Sequence, residues 1–376
     1  MTRPAQLEVT AADPRRRGEE RGRRTAADIA AAWRTYADLF AVAGRLSEAD
    51  VRRLAEGSLG VTRGWAPELV AELAGVAEGS GLPLWVIAAL NARTEILAVT
   101  GAPRAGECST VAHAGARVLA GQSWDWHAEL AGAWHVQSVR GDLLGFVGIT
   151  EYGVLAKIGV NEAGVGLLFN ILGHVDDSAQ GVPVHLAARK VLGTAASFDD
   201  AVAILRGTPV SASTVMTVVT AERSACVEVS PAGVAVIDPG DDGWLVHTNH
   251  FLDAELARGE LRGRREPETY DRLRLLSARV AGRTGIDGAD DLAALLTAHP
   301  QDGAEVCCHA PVEGRLGNRW ATLATIMVDP AARELHLHSG GPCSARPGEW
   351  FQLAAPRHSD DEVSGPGLMP AVGGPG

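Results

Sequence analysis

The feature that most constrains the fold of this chain is a change of hydrophobic pattern at about residue 100. Before it, apolar residues recur at helical spacing in alanine-rich stretches at residues 26–43, 47–56 and 66–78. After Cys108, short apolar runs of strand character follow one another. Strands and helices that are grouped in blocks, with many apparent hairpins, favour an α+β fold over a regular alternation of strand and helix.

The pattern after Cys108 predicts strands at residues 145–150, 154–160, 164–170, 215–220, 226–229, 234–237 and 244–249. Two helical blocks interrupt these strands, at residues 183–192 with 199–205 and at residues 270–280 with 289–296. A last hairpin is predicted from residues 321–328 and 334–339, with its turn at residues 329–333.

A further hairpin is predicted directly after Cys108. Two apolar segments, residues 111–113 and 118–120, flank a short link that contains Gly115. Counting back from this turn pairs Cys108 with the region of Gln122 and Ser123, and it brings Asp125 near the thiol.

This placement suits an N-terminal nucleophile. If the peptide bond before Cys108 is cut, the new α-amino group has an ordinary pKa of about 7.7–8 and can act as a base for the thiol of the same residue. A carboxylate at Asp125 would orient that amine. A buried structural cysteine is the alternative interpretation of the hairpin evidence alone.

Composition restricts the class of protein. The 376 residues are 46% hydrophobic and 21% charged, enough for one large or two ordinary domains with a substantial core. Five cysteines, an odd number spread widely, argue against a disulfide framework and favour a reducing compartment. With no secretory signal visible and no apolar stretch of membrane-spanning length, a cytoplasmic location and no membrane partner are expected.

The formal charge of −12 disfavours a nucleic-acid partner, because phosphate binding needs clustered cations. One cluster of arginines does occur within residues 15–24, but Glu19 and Glu20 interrupt it. Residues 1–24 are therefore predicted to be a disordered, charged tail. Residues 356–376, rich in Gly, Pro, Ser and Asp, are predicted to be a second disordered tail.

Six short motifs together resemble one known family. They occur in the order Asn91-Ala92-Arg93-Thr94-Glu95, Glu107-Cys108-Ser109-Thr110, Gly121-Gln122-Ser123-Trp124-Asp125, Asn161-Glu162-Ala163-Gly164-Val165-Gly166, His247-Thr248-Asn249-His250 and Ala321-Thr322-Leu323-Ala324-Thr325. The set is similar to the acyl-coenzyme A:6-aminopenicillanic acid acyltransferase family, also named isopenicillin N acyltransferase-like, over about residues 30–345.

The resemblance implies an N-terminal-nucleophile hydrolase fold, a four-layer αββα sandwich of two stacked antiparallel sheets between helical layers. It also implies self-cleavage between Glu107 and Cys108. Residues 25–107 would then be a helical small subunit and residues 108–355 the large subunit, both in one shared domain. The partner of each fragment would be the other, and a higher oligomer stays open.

The family's functional residues transfer position by position. Cys108 matches the nucleophile, Asp125 the carboxylate, and Asn249 an asparagine of the oxyanion hole. Arg319 matches an arginine close to the catalytic carboxylate. Substrate-binding roles are expected for three further residues, Asn170, Ser109 and Thr110.

The expected activity is hydrolysis or transfer of acyl groups of small amides or thioesters. No cofactor is expected, although acyl-coenzyme A is an open co-substrate. Two departures from the family pattern bear on this: Glu107 replaces a glycine before the nucleophile, and Ser123 replaces an asparagine. They favour the rival hypothesis of an uncleaved, noncatalytic binding protein on the same fold.

A conventional cysteine hydrolase is the third hypothesis, with His113 or His127 as its base. No metal site is expected. Cys307, Cys308 and His309 are adjacent and lack the spacing of ordinary zinc ligands. His247 and His250 would face opposite ways at a strand end, which disfavours joint ligation.

Overall fold

The computed structural model describes residues 4–100, 108–141 and 144–356, and two stacked β-sheets form its centre. The strands are β1 Gln6–Val9, β2 Ser109–Ala114, β3 Val118–His127, β4 Trp134–Val139, β5 Phe146–Glu151, β6 Ile158–Asn161, β7 Gly166–Ile171, β8 Thr214–Val219, β9 Ser224–Ser230, β10 Gly233–Ile237, β11 Trp244–His247, β12 Trp320–Asp329, β13 Glu334–Ser339 and β14 Phe351–Ala354.

One sheet has eight strands in the order β1-β4-β5-β6-β7-β8-β9-β10, and the other has six in the order β11-β2-β3-β12-β13-β14. Neighbouring strands are antiparallel except β1 and β4, which are parallel. All seven predicted strands between residues 145 and 249 are present with shifted ends, whereas β1, β4 and β14 are strands that the sequence analysis does not predict.

The helices are α1 Pro14–Arg24, α2 Ala26–Val42, α3 Glu48–Trp65, α4 Pro67–Ser80, α5 Leu84–Asn91, α6 Arg93–Ala98, α7 Val184–Thr194, α8 Phe198–Gly207, α9 Arg262–Arg265, α10 Glu268–Val280 and α11 Ala289–Leu296. Helices α2 to α6 occupy the segment for which the sequence predicts helical structure. Ser47 caps α3 through a capping box with Asp50, a local reason for its start.

Side-chain alternation along the strands sorts the core into layers. Leu168 of β7 points into the core between the sheets, whereas Leu167 and Phe169 face α7 and α8. Ala112 of β2 likewise faces the core between the sheets, and Val111 faces α10 and α11. The predicted four-layer αββα sandwich is therefore confirmed, with one helical pair outside each sheet.

The N-terminal helices share the core between the sheets. Buried side chains of α2 to α6, such as Ile29, Tyr36 and Leu90, belong to the same apolar cluster as Trp124 and Val147. The helical segment before Cys108 is thus packed into the sandwich, as a shared core requires.

The predicted disordered tail at residues 1–24 is wrong, because residues 6–9 form β1 and residues 14–24 form α1. Arg17 and Arg21 are buried, and both lie close to the buried carboxylate of Glu72, at 3.4 and 3.9 Å. Glycines let α1 and α4 touch: a Cβ added at Gly75 would lie 1.9 Å from the Arg15 carbonyl oxygen. Part of the arginine cluster is therefore buried inside the protein. Its partner Glu72 lies on another helix, far along the sequence, so the local sequence pattern does not predict the pairing.

Two further predictions fall outside the described residues: the Glu107 side of the cleavage bond and the C-terminal tail from residue 357 onward. A membrane-crossing helix would need more length and more apolar side chains than any helix of the described residues has.

Candidate active site

The hairpin of β2 and β3 places the predicted nucleophile. Ser109 pairs with Ser123 and Thr110 with Gln122, so the register predicted from the turn is confirmed. Cys108 immediately precedes β2 and is 6% exposed. The backbone N–H of Asp125 lies near the Cys108 sulfur and acts to lower the pKa of the thiol, so the predicted carboxylate residue is close to the nucleophile.

Two side chains converge on the backbone of Cys108, and one of them also binds a third, Asn249. The Asn170 Nδ2 donates to the Cys108 carbonyl oxygen at 2.9 Å, and the Arg272 Nη1 donates to the same oxygen at 3.1 Å. The other terminal nitrogen of Arg272 donates to the Asn249 Oδ1 at 3.1 Å. Two predicted site residues, Asn170 and Asn249, are thus joined to the nucleophile, and the sequence analysis missed the arginine that joins them.

Ser109 and Thr110 are fully buried and bind protein groups. The Thr110 hydroxyl donates to the Asn170 Oδ1 at 2.7 Å, and the Ser109 hydroxyl oxygen accepts from Arg272 at 2.8 Å. Their predicted role was substrate contact. The structure instead places them where they fix the side chains that hold the Cys108 carbonyl.

Asn249 lies in a rigid turn after β11. Its Nδ2 donates to the Ile171 carbonyl at 2.8 Å, and its backbone N–H donates to the Thr269 hydroxyl at 2.8 Å. The flanking histidines have separate partners: the His247 Nε2 lies 2.9 Å from Glu228, and the His250 Nδ1 lies 3.0 Å from the Thr269 hydroxyl. The expectation that these two histidines do not ligate one metal ion together stays a prediction.

Burial is the main cause that raises the pKa of the Cys108 thiol to about 11, and the negative charge of Asp125 adds to the same shift. Two cations oppose this shift, Lys157 first and Arg262 second. In the uncleaved chain the thiol is therefore protonated at neutral pH, and a base has to remove the proton before attack.

Lys157 is a second residue that the sequence analysis missed. Burial lowers its pKa to about 8 against the opposing charge of Glu151, whose Oε1 lies 3.3 Å from the ammonium nitrogen. The ammonium lies 4.4 Å from the centre of the Trp124 ring. The signal in the sequence was a lone lysine within the apolar run of residues 154–160.

Arg93, in the first of the six family motifs, binds the same carboxylate that pairs with Lys157. Arg93 pairs with Glu151 and donates to the Tyr36 hydroxyl at 2.9 Å, and the Trp126 indole N–H donates to the same hydroxyl at 2.7 Å. Buried charges of this kind are retained only with close partners. The network ties α2 and α6, which precede Cys108, to strands that follow it.

Arg319 does not lie at the predicted carboxylate. Its Nε donates to the Pro311 carbonyl at 3.1 Å, and its Nη1 lies 3.7 Å from Glu129. Asp125 pairs with Thr322, three residues further along β12, a separation of about 10 Å in a strand. The predicted contact between Arg319 and Asp125 is wrong, because the arginine precedes the strand and turns toward solvent.

The two histidines of the Cys–His hypothesis lie elsewhere. His113 packs on Trp244 near the turn of the hairpin, with 4.6 Å between ring centres. His127 packs on Trp320 with 4.0 Å between ring centres, and burial lowers its pKa to about 4. These placements do not support either histidine as the base for Cys108.

A cleft of about 540 Å³ opens beside Asp125. It is bordered by Cys308 and Trp320 and by a loop that contains Pro300 and Glu305. Four carboxylate side chains besides Asp125 line the cleft, against one arginine: Glu266, Glu268, Asp271 and Glu305, with Arg265. Two of these carboxylates already pair with arginines outside the lining, Glu266 with Arg262 and Asp271 with Arg274. The remaining carboxylates still outnumber Arg265, so the cleft favours cationic groups.

Cys307 and His309 do not stand alone, contrary to the argument from their spacing. His299 and Cys343 join them, and one ligand atom of each residue lies within 4.8 Å of the others. The sequence analysis missed this cluster, since two of its members come from outside the local motif.

Comparison with known proteins gives one family match. The family described as acyl-coenzyme A:6-aminopenicillanic acid acyl-transferase matches residues 113–343, a range that holds Asp125 and Asn249 and begins shortly after Cys108. The 40 kDa form of acyl-coenzyme A:6-aminopenicillanic-acid-acyltransferase from Emericella nidulans is 28% identical over 279 residues, which cover 73% of this chain and 76% of that protein.

Two solved structures show weaker similarity. An N-acylethanolamine-hydrolyzing acid amidase ortholog from Caenorhabditis elegans is 14% identical, with 59% of this chain and 93% of that chain covered and a TM-score of 0.43. Penicillin V acylase from Agrobacterium tumefaciens is 17% identical, with 62% and 83% covered and a TM-score of 0.39.

Proposed function

The chain belongs to the acyl-coenzyme A:6-aminopenicillanic acid acyl-transferase family, a premise from which we propose that it is a self-processing enzyme with Cys108 as its N-terminal nucleophile. Family membership makes it an enzyme of the acyltransferase and amidohydrolase class. The observation that carries the finer proposal is the fixed backbone of Cys108, whose carbonyl is held by Asn170 and Arg272 while its thiol meets Asp125.

Maturation begins at the bond between Glu107 and Cys108. The Cys108 thiol loses its proton and attacks the Glu107 carbonyl carbon, the C–N bond breaks, and the nitrogen takes up the proton. The product is a thioester. Water then cleaves it, which leaves a carboxylate at Glu107 and a free α-amino group and thiol at Cys108. Lys157 supports the step, because its positive charge lowers the pKa of the thiol.

Turnover uses the new α-amine as the base. It takes the thiol proton, the thiolate attacks the acyl carbon of the substrate, and the proton passes to the leaving amine. Asn249 supplies a side-chain donor for the oxyanion, a contribution of about 2.7–4 kcal/mol in comparable sites. Ile171 accepts from the Nδ2 group, which carries two N–H donors. Asp125 orients the amine.

The two fragments stay together after cleavage. Tyr36 and Arg93, from the shorter fragment, bind Trp126 and Glu151 of the longer one inside the core. The apolar cluster between the sheets also takes side chains from both fragments. The mature protein is therefore a heterodimer of its own fragments.

Hydrolysis of small N-acyl amides is the everyday reaction that we favour, with the substrate bound in the cleft beside Asp125. The excess of carboxylates in this cleft favours a substrate that bears a cationic group near the scissile bond. Acyl transfer to an amine is the alternative fate of the acyl-enzyme, and an acyl-coenzyme A thioester would then serve as donor.

Intact mass spectrometry of rapidly quenched reactions tests this function. A matched pair of N-acyl amides is used, with the same acyl group and either a cationic or an anionic leaving part. The proposal expects an acyl adduct on the fragment that begins at Cys108, and a lower KM for the cationic member. The matched Cys226→Ser variant, altered at a buried cysteine of β9, should form the same adduct.

Added amine decides between the two fates of the acyl group. An unchanged product ratio at rising amine concentration identifies a hydrolase, and a rising share of acylated amine identifies a transferase. An adduct on another residue, or turnover without any adduct on Cys108, would contradict the proposed nucleophile.

A further inference from the structure

Four potential metal ligands meet at one end of the six-stranded sheet. The Cys307 and Cys343 sulfurs are 3.3 Å apart, and the Nε2 atoms of His299 and His309 are 3.2 Å apart. The His309 Nε2 lies 3.6 Å from the Cys307 sulfur and 3.4 Å from the Cys343 sulfur. The donor set is therefore two thiols and two imidazoles around a single point.

These separations match tetrahedral zinc. With Zn–S bonds of about 2.3 Å and Zn–N bonds of about 2.0–2.1 Å, the edges of a tetrahedron are about 3.3–3.8 Å long. The four separations agree with these edges to within about half an ångström. Two thiolates also balance the charge of a divalent ion.

The backbone holds the ligands in place without an ion. The N–H groups of Val306 and Cys307 both donate to the Ala298 carbonyl, at 3.0 and 2.9 Å, which closes the loop between His299 and Cys307. Gly341 lets the turn with Cys343 approach, because a Cβ there would lie 2.6 Å from the Cys307 sulfur. Such a preformed site costs little ordering when it binds metal.

We propose that His299, Cys307, His309 and Cys343 form a structural zinc site. All four positions are filled by protein, which is typical of structural rather than catalytic zinc. Binding releases the two thiol protons. His309 and Cys343 are exposed, so an ion can enter from solvent, whereas Cys307 is buried and anchors the site to the core.

The site has a consequence for the active-site cleft. Pro300, Gly303, Ala304 and Glu305, which line the cleft, all lie between the ligands His299 and Cys307. Bound zinc would thus hold both ends of this cleft-lining loop, at His299 and Cys307, against the turn after β13 that contains Cys343. The ion does not take part in the chemistry at Cys108, but it fixes the shape of the cleft beside Asp125.

A disulfide between Cys307 and Cys343 is the competing use of the same sulfurs, which are both free here. Elemental mass spectrometry of the purified full chain, kept reduced and saturated with Zn²⁺ before desalting, separates the two. One zinc per chain is expected. Cys343→Ser and His309→Gln should lose most of it, whereas the matched controls Cys226→Ser and His336→Gln should retain it.

Two measurements keep the test decisive if a ligand variant misfolds. Folded wild-type protein is stripped with a chelator and titrated with Co²⁺, which should give a thiolate-to-cobalt charge-transfer band and the intense d–d bands of tetrahedral coordination. Hydrogen exchange of residues 299–309 should become at least several-fold faster in the stripped protein, and β2 should not change.

Three results would overturn the site. They are a folded, reduced chain that takes up no zinc at saturation, a cobalt spectrum without thiolate bands, and full zinc retention in Cys343→Ser. A Cys307–Cys343 disulfide that persists in protein prepared under reducing conditions would also overturn the site, because neither sulfur would then be available to a metal ion.

Discussion

The guanidinium of Arg272 donates a hydrogen bond to the backbone carbonyl of Cys108 at 3.1 Å, although 164 residues separate the two in the sequence. The same side chain reaches Asn249 with its other terminal nitrogen. A planar, two-pronged donor thus sets the distance between the nucleophile and the oxyanion donor. Arg272 is a positioning residue in this account, since it contacts the nucleophile's backbone and not its sulfur.

Arg272→Lys is expected to slow self-cleavage and turnover on the order of 10²-fold, because an ammonium cannot span both acceptors and a misplacement of about 1 Å has that effect. The rate of fragment formation after purification measures the first, and kcat the second. Arg319→Lys is the matched control and should stay within a few-fold of wild type. Equal effects of the two variants would remove Arg272 from its proposed role.

Asn249→Asp keeps an oxygen for Arg272 but replaces the amide donor. We expect kcat to fall by about 10²–10³-fold with little change in KM, because the lost donor acts on charge that develops in the transition state. Steady-state kinetics on the processed heterodimer measures both constants. A rise in KM at constant kcat would show that Asn249 contributes to ground-state binding instead.

The buried cluster around Glu72 should make the N-terminal helix essential for stability. Glu72→Gln leaves three buried guanidinium groups without their carboxylate, those of Arg17, Arg21 and Arg189. We expect a loss of about 3–5 kcal/mol in the free energy of unfolding by urea, measured in a Cys108→Ala background to keep one chain. Deletion of residues 1–24 should be at least as damaging.

The exposed pair of Arg15 and Glu78 joins the same two helices and provides the control. Glu78→Gln should change stability little, because water screens an exposed ion pair. A Glu72→Gln protein as stable as Glu78→Gln would mean that the N-terminal arginines are dispensable.

Glu95 should make stability depend on pH. Burial raises its pKa to about 7, above the ordinary value of about 4.3, so the native state keeps a proton that the unfolded chain has already lost. This stabilisation is fully present below pH about 4.3 and is lost as the pH rises through about 7. The loss is on the order of 3 kcal/mol.

Glu95→Gln is neutral at every pH and keeps an oxygen acceptor for the Val184 N–H. Its stability relative to wild type should therefore increase between pH about 4.5 and about 7.5 and then level off, as measured by urea unfolding. A difference that stays flat over this window would show that Glu95 is ionised in the native state.

The sequence predicted the parts of the site that depend on local pattern. The hairpin register follows from the turn around Gly115, so the sequence alone predicts that Cys108 and Asp125 lie close together. Asn249 was found through the family motif. The blocks of strands and helices indicate an α+β fold, and the four-layer arrangement came from the family resemblance.

What the sequence did not predict depends on pairing over long distances. Arg272 lies on an ordinary amphipathic helix, and only the fold shows that its head reaches Cys108. Lys157 looks like an interruption of a strand until Glu151 and Trp124 surround it. The position of Arg319 was predicted wrongly for a different reason. It was assigned by a motif match, and such a match carries no information on where the strand begins.

The intact mass of the purified wild-type protein beside Cys108→Ala tests the central claim most directly. The account predicts two fragments in the wild type, with N-terminal sequencing of the larger one starting at Cys108, and a single uncut chain in Cys108→Ala. A wild-type chain that stays uncut after prolonged incubation, or fragments that also form in Cys108→Ala, would contradict it.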